Sequence, residues 1–330
     1  MEQKRGSRIS LGIFLGAVFT ALVITTTMGL AAEKFPSQPI TIVVPWGAGG
    51  TTDTVARMIA PNYGKILGQP VVVVNKPGAS GYIGVKSVST ARPDGYTLGS
   101  AGLAIVSLAV TDPKLSIEEF KWIGQSYAAM YVIAVNAESP WKTIEEFIDY
   151  AKKNPKSLKC GKSDTYGTTH IFSEGFARAA GIQFTQVDYK AGMAATALAV
   201  ASKEVDLTVQ SMLSLRSFLD ADKIRILATL ADKRSPNFQN LPTVKEKGID
   251  WIGITYEGLI VAKDTPDDVV AILDKSLEKA LADPALSESF KKFDIYVDYK
   301  DHKSFTAFTK MQDKQVRETL KVIGYKPTEK

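Results

Sequence analysis

Residues 40–57 read ITIVVPWGAGGTTDTVAR, and this stretch decides the fold class. ITIVV (40–44) is a continuous β-branched run, as expected of a strand buried on both faces in a parallel sheet. In the segment that follows, TTDTVARMIAPNYGKILG (51–68), Val55, Met58, Ile59 and Ile66 recur at roughly helical spacing. The handover from strand to helix holds Gly47, Gly49, Gly50, Thr51 and Thr52, with no lysine or arginine before Arg57. A helix start leaves backbone N–H groups unpaired and carries roughly +0.5 of a charge. Glycine admits close approach, and hydroxyls add directed donors. Such a turn binds a carboxylate or phosphate without a cationic side chain. The plainer reading is that the polar residues cap the helix and the glycines satisfy the turn.

The same grammar continues outward. PVVVV (70–74) reads as a second buried strand, NKPGASG (75–81) as a second glycine turn, and YIGVKSVSTA (82–91) as a helix. ARPDG (91–95) then turns the chain into a third strand at YTLGS (96–100). This is βαβαβ, hence an α/β domain with a parallel sheet. Thr143 and Glu146 form a capping-box pattern opening a helix. SLKCGK (157–162) reads as a strand, SDTYGTTH (163–170) as a polar turn and IFSEGFARAAG (171–181) as a helix. FTQVDYKAG (184–192), MAATALAVAS (193–202), VDLTVQ (205–210) and KIRILATL (223–230) read as strand-and-turn, helix, strand and strand. After the strand GLIVA (258–262), a helix is expected with Thr265 as N-cap and Pro266 at its first position, then a last amphipathic helix to about Val322. No low-complexity linker separates the halves, so the domains are expected to be joined by crossing segments, QSYAAMYVIAVN (125–136) outward and WIGITYEGL (251–259) back.

The first residues stand apart. Lys4, Arg5 and Arg8 precede an apolar run of about 16 residues, and small residues follow, suiting cleavage near Ala31 or Ala32. That order is a secretory signal peptide over residues 1–32; the run is short for a membrane span of about 20. Its removal takes one acidic and three basic residues, so the net charge falls from +5 to about +3. No basic run is interleaved with aromatics, so the chain carries no nucleic-acid signature. Hydrophobic residues at 45% and charged residues at 23% are ordinary for a globular protein. Cys160 is the single cysteine, and the two histidines are His170 and His302, which do not make up a His/Cys zinc set.

Catalytic and nucleotide motifs are weak or missing. GAGGTTD offers G-x-G, but Asp53 stands where a dinucleotide fingerprint wants its third glycine. No G-K-[ST] closes a phosphate loop, and no G-x-S-x-G is present. Asp53 is read as accepting a ligand donor or capping its helix, and His170 as a ligand contact or a partly buried histidine. Trp46, Tyr166, Tyr189 and Tyr256 are candidate walls of an apolar pocket.

Six phrases in order, FPSQPITIVVPWGAGGTTDTVAR, LGQPVVVVNKPGASGYIG, ARPDGYTL, AKKNPKSLKCGKSDTYGTTH, LATLADKRSPNFQNLPTVKEKG and TPDDVVAIL, resemble the extracytoplasmic solute receptors of tripartite tricarboxylate transporters, the Bug family. The resemblance runs from about residue 35 to the end. It implies a type II periplasmic-binding-protein fold, with lobe 1 over 33–130 and 255–330 and lobe 2 over 131–254, closing on a ligand by a hinge. It implies a carboxylate held between the two glycine turns of lobe 1, at Ala48, Gly49, Gly50, Thr51, Thr52 and Asp53, and at Gly78, Ala79, Ser80 and Gly81. Lobe 2 would add Ser163, Tyr166, Thr168, Thr169, His170 and Tyr189. A monomer in the periplasm, without cofactor or metal, would pass its solute to a permease of a large and a small subunit. Two other functions stay open, a carboxylate-sensing protein for a membrane receptor kinase and an exported enzyme using Asp53 and His170. YKAGMAATA (189–197) lacks the proline common in the family, while SKEVD (202–206) and GKSDTYGTTH (161–170) also depart from its usual pattern. These departures fall in lobe 2, which leaves the identity of the carboxylate open.

Overall fold

In the computed structural model, β1 (Ile40–Val44) takes the run ITIVV as a strand with four of its five residues buried. The structure describes residues 35–235, 238–292, 295–322 and 324–325; the leader expected over 1–32 lies outside them. Residues 38–330 form one compact unit. Of the unit Met1–Ser37, the described part is Phe35–Ser37, with a cis Phe35–Pro36 peptide.

β1 pairs in parallel with β2 (Val71–Asn75) on one side and β3 (Thr97–Gly102) on the other. α1 (Thr51–Leu67) connects β1 to β2 and ends at Gly68 in the left-handed region at φ 74°; α2 (Tyr82–Ser89) connects β2 to β3. PVVVV is not a strand buried on both faces but the edge of the sheet, with Val72 49% and Val74 37% exposed. An all-valine run shows no alternation, so its sequence could not reveal that one face looks outward. α3 (Leu103–Thr111) follows β3 directly. Its sequence, LAIVSLAVT, is apolar on nearly every side, so helical periodicity gives no sign of it.

The chain then enters β4 (Phe120–Asn136), seventeen residues long. From Phe120 to Met130 it pairs antiparallel with β9 (Ile254–Ala262), and over Gln125–Ala129 also with β10 (Ile295–Lys300). From Tyr131 to Asn136 its partners change to β7 (Leu207–Ser211) and β8 (Ile224–Thr229). β7 continues in parallel to β5 (Lys159–Lys162), and β5 to β6 (Thr185–Asp188). The strand order is therefore β2-β1-β3-β9-β4-β7-β5-β6, with β8 and β10 on β4. The outer strands are parallel, as βαβ units require, and the middle ones antiparallel. The two crossing segments read from the sequence are parts of β4 and of the Trp251–Leu259 run that enters β9.

Helices cover both parts of the sheet. α4 (Ile144–Lys153), α5 (Thr168–Ala180), α6 (Met193–Ala201) and α7 (Met212–Asp220) pack on the second part. α8 (Asp267–Leu281), α9 (Pro284–Lys291) and α10 (His302–Val322) pack on the first. The expected cap at Thr265 is corrected. Its hydroxyl donates back to the Ala262 carbonyl at 2.8 Å, and α8 starts after Pro266 with no side-chain cap. The capping box at Thr143 is half formed. Thr143 Oγ1 accepts from Glu146 N at 3.2 Å, but Glu146 reaches the N–H of Lys142 rather than of Thr143.

One continuous apolar cluster runs from Val43 and Val85 through Trp122 and Tyr131 to Phe147 and Leu207. It passes under β4 and ties the two parts of the sheet. Phe305 is fully buried, edge-on to Trp122 at 5.3 Å and to Tyr256 at 6.2 Å. Phe305→Ala leaves a large cavity under both crossing strands and should cost about 3–5 kcal/mol. A thermal melt should show a midpoint about 10 °C lower; a fall of under about 2 °C would mean this contact is not central to the core.

Candidate functional site

The start of α1 faces a cleft that three other helix starts also reach. Gly50, Thr51 and Thr52 come from α1, Leu103 and Ala104 from α3, Thr168 from α5, and Gly192 and Met193 from α6. The residue before each helix is a glycine: Gly50, Gly102, Gly167 and Gly192. None of the four helices has a side-chain cap hydrogen bond. Four positive helix ends, each about +0.5 of a charge, thus point into one space; on α5 the His170 N–H is taken by Asp164 Oδ1 at 3.4 Å, while α1, α3 and α6 have no side-chain cap. Trp46, Tyr127, Tyr131 and Tyr256 wall it, and Ser163, Asp164, Thr255 and Glu257 complete the lining with Gly47.

The two sides meet closely. Thr51 Oγ1 on α1 hydrogen-bonds Ser211 Oγ at the end of β7, and Ser107 Oγ on α3 donates to the Tyr166 carbonyl. A Cβ at Gly47 would stand 2.6 Å from the Ala191 carbonyl oxygen, so this glycine permits backbone to approach backbone across the cleft.

The expected site residues fall into two groups. Gly50, Thr51, Thr52, Ser163 and Thr168 line the cleft together. The others stand behind it. Ala48 and Gly49 are exposed on the turn. Asp53 is buried and accepts from Gly49 N at 3.0 Å, Arg57 Nε at 3.0 Å and Asn75 Nδ2 at 2.9 Å. Burial would raise its pKa, but these donors hold it below the usual carboxylate range. Asp53 therefore fastens the turn, and Arg57 is spent on it rather than on the cleft. Gly78, Ala79, Ser80 and Gly81 form a tight turn with φ between 46° and 132°. A Cβ on Gly81 would meet the Trp46 ring at 2.9 Å, so this turn supports the Trp46 wall from behind.

On the other side, Thr169 Oγ1 donates to Asp164 Oδ1 at 2.8 Å, and the Tyr166 N–H donates to His170 Nδ1 at 2.9 Å. Burial, with Lys162 nearby, pushes the His170 pKa down to about 4, so the ring is a neutral acceptor. Tyr166 packs edge-on to Tyr325 at 4.9 Å, and Tyr189 packs on the cluster around Val132 and Met212. Asp53 and His170 are thus each committed to their own turn and do not meet in the cleft. Of the four aromatic walls expected from the sequence, Trp46 and Tyr256 line it and Tyr166 and Tyr189 do not.

Sequence reading missed Tyr127, Tyr131, Asp164 and Glu257. Tyr127-Ala-Ala-Met-Tyr131 places both tyrosines on one face of a strand, and Glu257 is a charge in an otherwise apolar crossing strand, an uncommon burial. Either pattern was a usable signal. Glu257 accepts from Thr52 Oγ1 at 3.1 Å and from the Tyr127 hydroxyl. The surface it leaves uncovered opens into the cleft, deep in the protein, and burial raises its pKa from 4.5 to about 7. Asp164 is likewise raised by burial, against hydrogen bonds from Thr169 and His170 N–H. Among the described residues, no lysine, arginine or histidine lines the cavity.

Comparison with known proteins identifies the family. Residues 55–325 match the tripartite tricarboxylate transporter family receptor. The chain belongs to that family. A UPF0065 protein of Cupriavidus necator, from the gbd 5′ region, is 34% identical over 311 residues, covering 90% of this chain and 94% of the other. The structure of the periplasmic binding protein BugD matches with a TM-score of 0.84 at 30% identity, covering 89% of this chain and all of BugD. A structure of R. palustris Rpa4515 with adipate matches with a TM-score of 0.84 at 25% identity, covering 89% of this chain and all of the other. The fold is the two-lobed α/β type II periplasmic-binding-protein fold, and the family is one of solute-binding proteins.

Glu257 yields a pH prediction. A carboxyl whose pKa is raised from its ordinary 4.5 to about 7 on folding binds more protons folded than unfolded between those values. The folded state therefore loses stability as pH rises from about 4.5 to 7. Glu257→Gln should raise the melting midpoint of unliganded protein at about pH 8 and change it little at about pH 5. An equal change at both pH values would contradict the burial argument.

Proposed function

We propose that the chain is a periplasmic receptor that captures a small carboxylate by closing two lobes on helix N-termini and delivers it to a membrane permease of a large and a small subunit. The observation that carries this reading is the convergence of four glycine-preceded helix starts on one cleft, none capped by its own N-cap side chain. Backbone N–H groups and helix dipoles are sufficient to hold an anion without a cation. The adipate in a structurally similar protein supports the carboxylate class.

The lobes in this proposal are 33–130 with 255–330, and 131–254. The change of β4 partners between Met130 and Tyr131 supports the first boundary, and Ile254 at the start of β9 supports the second. Gly50, Thr51, Thr52, Ser163 and Thr168 make the contacts from the expected set. Ala48, Gly49, Asp53, Gly78, Ala79, Ser80, Gly81, Tyr166, Thr169, His170 and Tyr189 hold those contacts in place. The leader is removed near Ala31 or Ala32 on export. Among the described residues, no helix is long and apolar enough to cross a membrane. The receptor binds and releases its solute without converting it.

The test is a thermal-unfolding screen of refolded protein, lacking residues 1–32, against mono-, di- and tricarboxylates, aromatic acids and phosphates. A carboxylate at about 100-fold over its Kd adds about 2.7 kcal/mol, a shift of about 5 °C or more, and should be recovered unchanged. Gly47→Val places a side chain against the Ala191 carbonyl. It should weaken that binding at least tenfold, with a cooperative unliganded melt showing that the variant still folds. Binding of phosphates alone, conversion of the solute, or wild-type affinity in Gly47→Val would each contradict the reading.

A further inference from the structure

The cleft carries a charge pattern that a simple polycarboxylate does not match. Its lining contains two carboxylates, Asp164 and Glu257, and, among the described residues, no cationic side chain. Asp164 belongs to the second-lobe turn and is occupied there, accepting from Thr169 Oγ1, Ser163 Oγ and the His170 N–H. Lys162 lies behind that turn, bridged to Asp188 at 2.8 Å. Glu257 differs. It stands on β9 with one hydroxyl donor on each oxygen, Thr52 on Oε1 and Tyr127 on Oε2. A carboxylate has about four acceptor positions, so Glu257 keeps acceptor capacity on the cleft side. No lysine, arginine or histidine forms an ion pair with it among the described residues.

Four helix ends at about +0.5 each roughly offset two negative side chains. A solute with no net charge preserves that balance, provided its negative end faces the helix starts and its positive end faces Glu257. A dicarboxylate brings two more negative charges, and its second carboxylate has Glu257 and no cation to meet, the arrangement in which buried like charges are most unfavourable.

Resting on the carboxylate reading above, we propose that Glu257 is a specificity residue that accepts an ammonium of the solute, so that the cleft takes an aminocarboxylate zwitterion in preference to the matching unsubstituted acid. The solute's carboxylate sits at the starts of α1, α3, α5 and α6. Its ammonium donates to Glu257 beside Thr52 and Tyr127. The tyrosine walls present apolar faces to the carbon skeleton between the two ends. Thr52 links the two ends of the site, because it belongs to the first turn of α1 and also donates to Glu257. Charge-assisted hydrogen bonds of this kind are about twice as strong as neutral ones, which makes the amino group a large part of recognition.

The test is isothermal titration of refolded protein at about pH 7.5, where the amino acids' ammonium groups are protonated and alaninamide, with an α-amino pKa near about 8, is so in greater part, with matched probes: propanoate and alanine, succinate and aspartate, glutarate and glutamate, and alaninamide as the amine without a carboxylate. Within at least one pair the amino member should bind at least tenfold more tightly. Glu257→Gln should erase that preference while still binding the unsubstituted acid, and its melt should confirm that it folds. An unsubstituted acid that binds as well as its amino partner in every pair overturns the proposal, as does an amino preference that survives in Glu257→Gln. If Glu257→Gln fails to fold, the wild-type pairs alone decide. Binding of alaninamide as tightly as alanine overturns the carboxylate reading while leaving Glu257 as the ammonium site. Absence of binding by every probe overturns both for these solutes.

Discussion

A helix that begins after a glycine has no side chain with which to satisfy its own first N–H groups, and the arrangement of this protein follows from placing four such helices around one cleft. Each helix follows a strand end: α1 follows β1, α3 follows β3, α5 follows β5, and α6 follows β6. Strands running in the same sense within each βαβ unit put their helix starts on one edge of the sheet. The parallel portions of the sheet thus aim positive helix ends where a solute can reach them. Capping side chains at these positions would compete with that solute for the same donors. Elsewhere in the chain side-chain caps are present at Ser116, Thr143 and Asp283, while α2, α7 and α8 also start without one.

The antiparallel middle of the sheet has a different task. β4 and β9 carry the chain between the two parts, and both contribute directly to the cleft, β4 through Tyr127 and Tyr131 and β9 through Thr255 and Glu257. The strands that connect the two parts of the sheet therefore also line the cleft. A change at Glu257 is felt by Thr52 on α1 and by Tyr127 on β4 through two hydrogen bonds. The buried cluster beneath β4 is continuous across the join, so the strands can serve both roles without a break in the core.

Much of the fold is legible because strands, glycine turns and helices alternate strongly in the sequence. The first-lobe turn from Gly47 to Asp53 reads as a strand-to-helix handover and is one, and the crossing segments fall where β4 and β9 lie. The edge position of β2 is hidden, since Val71–Val74 contains no polar residue to mark an outward face. α3 and α7 escape the sequence reading for related reasons: both follow a strand without an intervening polar turn, as at Gly102–Leu103 and Ser211–Met212. In the site, small polar residues are visible as a local pattern. The tyrosines and Glu257 come together only through tertiary pairing of β4 with β9, and single-segment reading cannot reveal such a meeting. Asp53 illustrates the opposite error of emphasis. Its position at a helix start is consistent with ligand contact, yet Arg57 and Asn75 engage it.

The most direct measurement of the central claim is a crystal structure of the protein with its tightest-binding carboxylate from the solute screen. Carboxylate oxygens should lie about 3 Å, directly or through one water, from the first-turn N–H groups of α1 and at least one of α3, α5 and α6, with no lysine or arginine in contact. A carboxylate paired with a cationic side chain, or seated outside the cleft bounded by Thr52, Thr168 and Glu257, would contradict it.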